Sequence, residues 1–259
     1  MPDILDDIVF NKRQEVTALK VRLDVKKSGF LPVLRDFRKA LLAGQPAIIA
    51  EVKKASPSAG VLVSKYFPAK IARIYEMAGA AAISVLTDEK YFKGGLADLT
   101  AVKKAVKLPV LRKDFIIDES QIYESRLAGA DAILLIVRIL TDEQLSAFLT
   151  TARQLKMAAL VEVHNEREVE RALAAGAEII GINNRDLGTL KVDVKHTIHL
   201  LDKFPELRKK LVVSESGIRS AVEVKELRAA GVKALLVGEG LLKSRDPAAK
   251  LKELMQFEN

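Results

Sequence analysis

Cysteine and tryptophan are absent from this chain of 259 residues, and histidine occurs only three times. Without cysteine there are no disulfides, no thiolate metal sites and no cysteine nucleophile. His164, His196 and His199 form no ligand set with the acidic residues, so neither a metal nor another cofactor is expected. No apolar run approaches the ~18 residues that a membrane span needs, and Met1-Pro-Asp-Ile-Leu-Asp-Asp7 is too acidic for a signal peptide. Cytoplasm and no membrane association are the expectations. Aromatic residues make up only 5% of the chain. That matters for the charge: 42 basic against 34 acidic residues give +8, which attracts anions. The basic residues are scattered along expected helices, with no basic stripe interleaved with aromatics of the kind nucleic-acid binding uses. An acidic small molecule is the expected partner, not a nucleic acid.

Against these absences stands a repeat. Ala78-Gly79-Ala80, Ala128-Gly129-Ala130, Ala175-Gly176-Ala177 and Ala230-Gly231-Val232 each precede a short apolar run. A glycine that ends a helix in the left-handed conformation, followed at once by a strand, accounts for each instance. The glycines are 50, 47 and 55 residues apart, so each period holds two strand–helix units and four periods give eight strands. The strands are expected at 48–52, 82–86, 109–113, 132–136, 159–163, 179–183, 211–215 and 234–238. Helices are expected near 69–78, 96–106, 119–128, 142–156, 166–175, 194–203, 219–230 and 247–256, with starts marked by Pro68, Asp118, Asp142, Asn165 and Pro247. Strict alternation implies parallel strands with right-handed crossovers. The expected fold is α/β, a single (β/α)8 barrel domain over 1–259. Residues 1–45 form a helical extension in which Ile4 to Leu19 and Leu31 to Ala43 are amphipathic. Such an extension plugs the bottom of the barrel or covers its top, and the sequence does not choose.

Charged or polar residues sit at the C-terminal ends of the apolar runs: Glu51 and Lys53, Lys113, Glu162, Asn183 with Arg185, and Glu215. Burying such groups is costly unless they surround a solvated mouth or a polar ligand, and the C-terminal face is where barrels of this kind carry their chemistry. Three acids, two lysines and an amide converging there are equipped for general acid–base work, because proximity moves their proton affinities apart. Ser214-Glu215-Ser216-Gly217-Ile218 and Val237-Gly238-Glu239-Gly240 end strands seven and eight. Loops in those positions commonly hold phosphate on backbone N–H groups, so Gly217, Gly238, Glu239 and Gly240 are the expected phosphate site.

The run Ile49-Ala-Glu-Val-Lys-Lys-Ala-Ser-Pro-Ser58 resembles the signature of the indole-3-glycerol phosphate synthase family. Ser84 to Gly94, Pro109-Val-Leu-Arg-Lys-Asp-Phe-Ile-Ile-Asp118, Val161-Glu-Val-His164, Gly181-Ile-Asn-Asn-Arg-Asp-Leu187 and Val213-Ser-Glu-Ser-Gly-Ile218 follow the family's order. Gly240 departs from the small hydroxyl or alanine more usual in the family, and Gly95 from serine.

The resemblance implies a carboxy-lyase of tryptophan biosynthesis. Such an enzyme closes 1-(2-carboxyphenylamino)-1-deoxyribulose 5-phosphate to indole-3-glycerol phosphate, losing CO2 and water without a cofactor. It implies Lys113 as acid for ring closure and Glu162 in dehydration, with Glu51 tuning both. Asn183 and Glu215 would orient sugar hydroxyls. Lys53, with Ser56 and Arg185, would anchor the anionic groups, next to Ser216, and Phe92, Phe115, Leu134, Leu187 and Leu236 would line the aromatic pocket. His164 is a loop residue to which no role is given. A monomer or weak homo-oligomer is expected. The alternative is an engineered or non-catalytic barrel scaffold derived from this family. A phosphoribosylanthranilate isomerase-like barrel fits less well, since it would favour a cysteine–aspartate pair.

Overall fold

The computed structural model describes residues 4–20, 31–44, 46–57, 59–186 and 191–256. Two helices come first, α1 (Ile4–Lys20) and α2 (Phe37–Ala43), then β1 (Ala47–Val52) and a small hairpin of β2 (Ala55–Ser56) and β3 (Gly60–Val61). Strand and helix then alternate: α3 (Pro68–Met77), β4 (Ala82–Leu86), α4 (Leu96–Ala105), β5 (Val110–Lys113), α5 (Glu119–Ala128), β6 (Ala132–Ile136), α6 (Asp142–Gln154) and β7 (Ala158–Val163). The chain continues through α7 (Glu166–Ala174), β8 (Ile179–Asn183), α8 (Lys195–Lys203), β9 (Leu211–Glu215), α9 (Ala221–Ala229), β10 (Ala234–Val237), α10 (Glu239–Leu242) and α11 (Pro247–Met255).

Eight parallel strands close in the order β1-β10-β9-β8-β7-β6-β5-β4. Closure is made by Ile48 opposite Leu235 and, on the other edge of β1, Ala50 opposite Ile83. All four repeat glycines are left-handed, with φ of 100° at Gly79, 95° at Gly129, 76° at Gly176 and 106° at Gly231, a region that only glycine enters cheaply. Asp118 and Asn165 cap α5 and α7 with their side chains. α6 starts at Asp142 as expected, and Thr141 before it is the cap, exchanging bonds with Gln144. The β2–β3 hairpin carries no apolar alternation and does not appear among the expected strands.

Both roles considered for the N-terminal extension are filled, by different helices. Phe37 and Leu41 of α2 are buried among Ala47, Ala82, Ala132 and Ala234, residues near the N-terminal ends of four strands. Alanines there leave the space that an aromatic ring and a leucine fill, and burying each such side chain contributes roughly 1.5–3 kcal/mol. α1 lies at the opposite end, where Ile4, Leu5 and Ile8 border the cavity at the strands' C-terminal ends. Its buried face runs Leu5, Ile8, Lys12, Val16, the spacing of one helical stripe, with a charged residue at the third position.

Candidate active site

Side chains alternate along a strand, so the inward positions at the barrel's upper rim are Glu51, Lys113, Glu162, Asn183 and Glu215. Two glycines make room for them. A β-carbon at Gly181 would overlap the Glu215 carboxylate, and one at Gly238 would overlap that of Glu51. Gly238 therefore has a steric duty toward Glu51 beyond any contact with phosphate.

Lys113 Nζ, on β5, donates to Glu162 Oε2 of β7 at 3.0 Å and to Glu215 Oε2 of β9 at 3.1 Å. Asn183 Nδ2 donates to Glu162 Oε1 at 3.2 Å. Lys53 and Glu51 form a second pair at 2.5 Å. Burial alone would lower the proton affinity of Lys113, but the carboxylates of Glu162, Glu215 and Glu51 outweigh it and hold the amine protonated. Glu162 is kept ionised against its burial by Lys113 and His164. Glu215 goes the other way: burial, together with the charges of Glu162 and Glu51, pushes it up to about 7 despite Lys113. Its Oε1 is buried with no hydrogen-bond partner among the described residues. Two carboxyls on one lysine are thus driven apart in acidity, the arrangement that separates acid from base roles.

Behind this rim lie supports that the sequence reading does not find. His164 Nε2 stands 3.2 Å from Glu162 Oε1, an ion-pair separation, and Nδ1 stands 3.1 Å from Glu168 Oε2. Burial opposes charge on the imidazole, yet the two glutamates raise it to about 9. The strand alternation Glu162-Val163-His164 and the cap spacing Asn165 to Glu168 are the signals in the sequence that point to it. Lys12 of α1, 3% exposed, pairs with Asp88 and Asp114 at 3.0 Å each and with Glu15 at 2.7 Å. Asp114, next to Lys113 in sequence, also takes Arg112 at 3.0 Å and the Thr87 hydroxyl at 2.6 Å. Those cations hold it well below the usual carboxylate range despite its burial. The covering helix is thereby tied to the loops after β4 and β5. Finally, Asn184 Nδ2 donates to Ser214 Oγ at 2.9 Å and to the Ser216 carbonyl at 3.1 Å, while Thr197 Oγ1 donates to Asn184 Oδ1 at 2.7 Å. This network holds Ser216 at φ 68°, a conformation that costs on the order of 1–3 kcal/mol for a non-glycine residue.

The rim encloses a cavity of about 800 Å³, within the range of small-molecule sites. All the site residues expected from sequence line it except Leu187, which lies outside the described residues. Phe92 and Phe115 meet across it with ring centroids 6.0 Å apart. Ser216, Gly217, Gly238 and Gly240 come together on one side, beside Arg219 and Lys243. Arg185 reaches Glu239 at 3.6 Å. Of the other histidines, His196 Nε2 donates to the His164 carbonyl at 2.9 Å, while His199 is exposed. Among the described residues no cluster of three or more His, Cys, Asp or Glu side chains has the arrangement to hold a metal, and no helix is long and apolar enough to cross a membrane.

The family model for indole-3-glycerol phosphate synthase matches residues 5–254. A protein of that name from Acidithiobacillus ferrooxidans is 47% identical over 262 aligned residues, covering 98% of this chain and 99% of the relative. One from Aquifex aeolicus is 53% identical over 222, covering 86% of each. A crystal structure of KGPDC from Streptococcus mutans, solved as a ligand complex, superposes with a TM-score of 0.61 at 14% identity, over 81% of this chain and 95% of that one. At that identity it speaks to the barrel alone. The family match spans nearly the entire chain, and the chain belongs to the indole-3-glycerol phosphate synthase family.

Proposed function

We propose that this chain catalyses closure of 1-(2-carboxyphenylamino)-1-deoxyribulose 5-phosphate to indole-3-glycerol phosphate, with loss of CO2 and water. The observation that carries the reading is Lys113 held between two carboxylates of opposed proton affinity, at the mouth of a cavity that also offers a paired aromatic wall. Attack of the ring carbon on the ketone builds negative charge on its oxygen. A positioned ammonium stabilises that charge, and a strongly basic alkoxide can take a proton even from an amine of raised proton affinity. Loss of CO2 then restores the aromatic ring of the former benzoate.

Dehydration removes a hydroxyl and a proton to form the pyrrole ring. Once Lys113 has given up its proton, Glu162 loses its principal cation and its proton affinity rises, since the two titrate together. Glu162 is then a stronger base than in the resting site, and the 3.0 Å contact returns the captured proton to Lys113. The hydroxyl leaves as water with a proton drawn from solvent, the one proton the overall reaction consumes. Glu215 Oε1, buried without a hydrogen-bond partner among the described residues, and Asn183 suit the sugar hydroxyls. Lys53, Ser56 and Arg185 suit the substrate's anionic groups. The backbone at Gly217, Gly238, Glu239 and Gly240 suits the phosphate, beside Ser216. Phe92, Phe115, Leu134 and Leu236 would contact the aromatic ring. The chain would work in the cytoplasm, without nucleic-acid partners, as a monomer or weak homo-oligomer. Its net charge of +8 favours approach of a polyanionic substrate.

Indole fluorescence tests the reading with little protein background, because the chain has no tryptophan. Adding the carboxyphenylamino-deoxyribulose phosphate should produce it with multiple turnovers. A substrate that stays unchanged at stoichiometric enzyme would contradict the reading.

A further inference from the structure

His164 is absent from the cavity lining but sits directly behind Glu162, its side chain almost wholly buried. The groups facing it come from three elements. Glu162 precedes it on β7. Glu168, in the first turn of α7, accepts the His164 backbone N–H at 2.7 Å and faces Nδ1, and is itself fixed by Asn165 Nδ2 at 2.7 Å. His196 of α8 holds the His164 carbonyl. The imidazole is therefore fixed at Nδ1 by Glu168, while Nε2 faces Glu162 at ion-pair distance without a hydrogen bond to it, in a pocket organised by a helix cap. Beyond Glu162 the row continues to Lys113, so that charges alternate Lys113, Glu162, His164, Glu168.

We propose that His164 is a positioning residue for the proposed reaction: its imidazolium, fixed by Glu168, keeps Glu162 ionised and turned toward Lys113. This role rests on the synthase reading and adds a residue to it. Its physical basis is the count of charges when Lys113 delivers its proton. At that moment Glu51, Glu162 and Glu215 share one rim, and Lys53 is engaged with Glu51. Without a cation behind it, Glu162 would add to a cluster of uncompensated negative charge that opposes release of the proton by Lys113. An imidazolium on its far oxygen supplies a second counter-charge that does not take part in the transfer, so Lys113 can release its proton without leaving the carboxylate uncompensated. The raised proton affinity of the imidazole, about 9, agrees with this.

Two measurements on the full chain test the proposal. In the first, imidazole ¹H–¹⁵N correlations are followed from about pH 5 to about pH 10, the span that brackets ordinary and raised histidine titration. Three histidines make assignment direct with His196→Gln and His199→Gln. The expected result is a His164 ring protonated on both nitrogens through neutrality and titrating well above 6.5. A neutral His164 ring at pH 7 overturns the proposal. In the second, the pH dependence of kcat is compared for the unaltered chain and His164→Gln, which keeps an N–H donor but no charge. The acid limb should move up by about one unit or more, the usual effect of losing an adjacent opposite charge, with KM little changed. A profile of unchanged shape, or an effect on KM alone, overturns it. Should His164→Gln fail to fold, Glu168→Gln replaces it, with the same expected displacement of the limb and a lowered His164 titration. Absence of product from the unaltered chain would overturn the synthase reading, and the positioning role with it, whatever the imidazole resonances show.

Discussion

Lys113 Nζ lies 3.0 Å from Glu162 Oε2 although the residues are carried by β5 and β7, with β6 between them. Neither strand positions the contact alone; the curvature of the closed barrel does. The pair faces the cavity from two directions, as a donor and an acceptor working on one substrate must.

Replacing Lys113 tests the first half of that relationship. Lys113→Met should lower kcat by roughly two to four orders of magnitude, the usual scale for a general acid, with a much smaller change in KM. The variant also leaves Glu162 and Glu215 buried without their shared cation, so it should be most stable, relative to the parent, at acidic pH where they protonate. Steady-state kinetics beside denaturant unfolding separates the two effects. Turnover within a few-fold of the parent would remove Lys113 from the acid role.

The two glycines at the rim should fail differently. Gly238→Ala places its β-carbon against the Glu51 carboxylate, so kcat should fall along with affinity. Gly217→Ala combines φ of 84° with overlap on Val192 and should chiefly raise KM for the phosphorylated substrate. Inorganic phosphate at tens of millimolar, an order of magnitude suited to a weak backbone anion site, should compete with substrate. Equal effects of both alanines on KM alone would show that Gly238 has no duty toward Glu51.

Lys12→Met leaves Asp88 and Asp114 without the lysine that joins them. Breaking a buried pair from one side costs about 3–5 kcal/mol, readable as a lower urea midpoint. Because α1 borders the cavity, KM should rise as well. Unchanged stability and KM would mean that the helix is held over the mouth by its apolar face alone.

The pH dependence of stability follows from His164. Its proton affinity is raised on folding, from 6.5 to about 9. Its contribution is therefore fully present below pH 6.5 and is lost as pH rises through about 9. The stability difference between the parent and His164→Gln should be largest on the acid side of that window and shrink steadily as pH climbs past its upper end. A difference that grows with pH would mean that the ring is neutral in the folded chain.

Most of the barrel is legible in the sequence because its signals are local. A buried parallel strand reads as a short apolar run, and a left-handed glycine after a helix has a steric cause that recurs four times. Strand bounds differ by only one residue, as at Val110 and Ala158. The rim residues are legible too, since a charge at the end of an apolar run is costly unless it faces a mouth or a ligand. What is not legible depends on contacts between distant segments. Lys12 looks like an ordinary surface lysine of an amphipathic helix until Asp88 and Asp114 are brought to it. His164 gains its role only when α7 folds Glu168 back beside it. The division of the N-terminal extension into a plug and a cover likewise needs the path of the chain around the barrel.

The most direct test of the split between Lys113 and Glu162 is a single-turnover comparison of CO2 and indole release in Glu162→Gln, which keeps the side chain's shape but not its basicity. CO2 should appear well ahead of indole, with a decarboxylated, undehydrated intermediate accumulating, whereas Lys113→Met should delay both products together. Simultaneous appearance of CO2 and indole in Glu162→Gln would contradict the split.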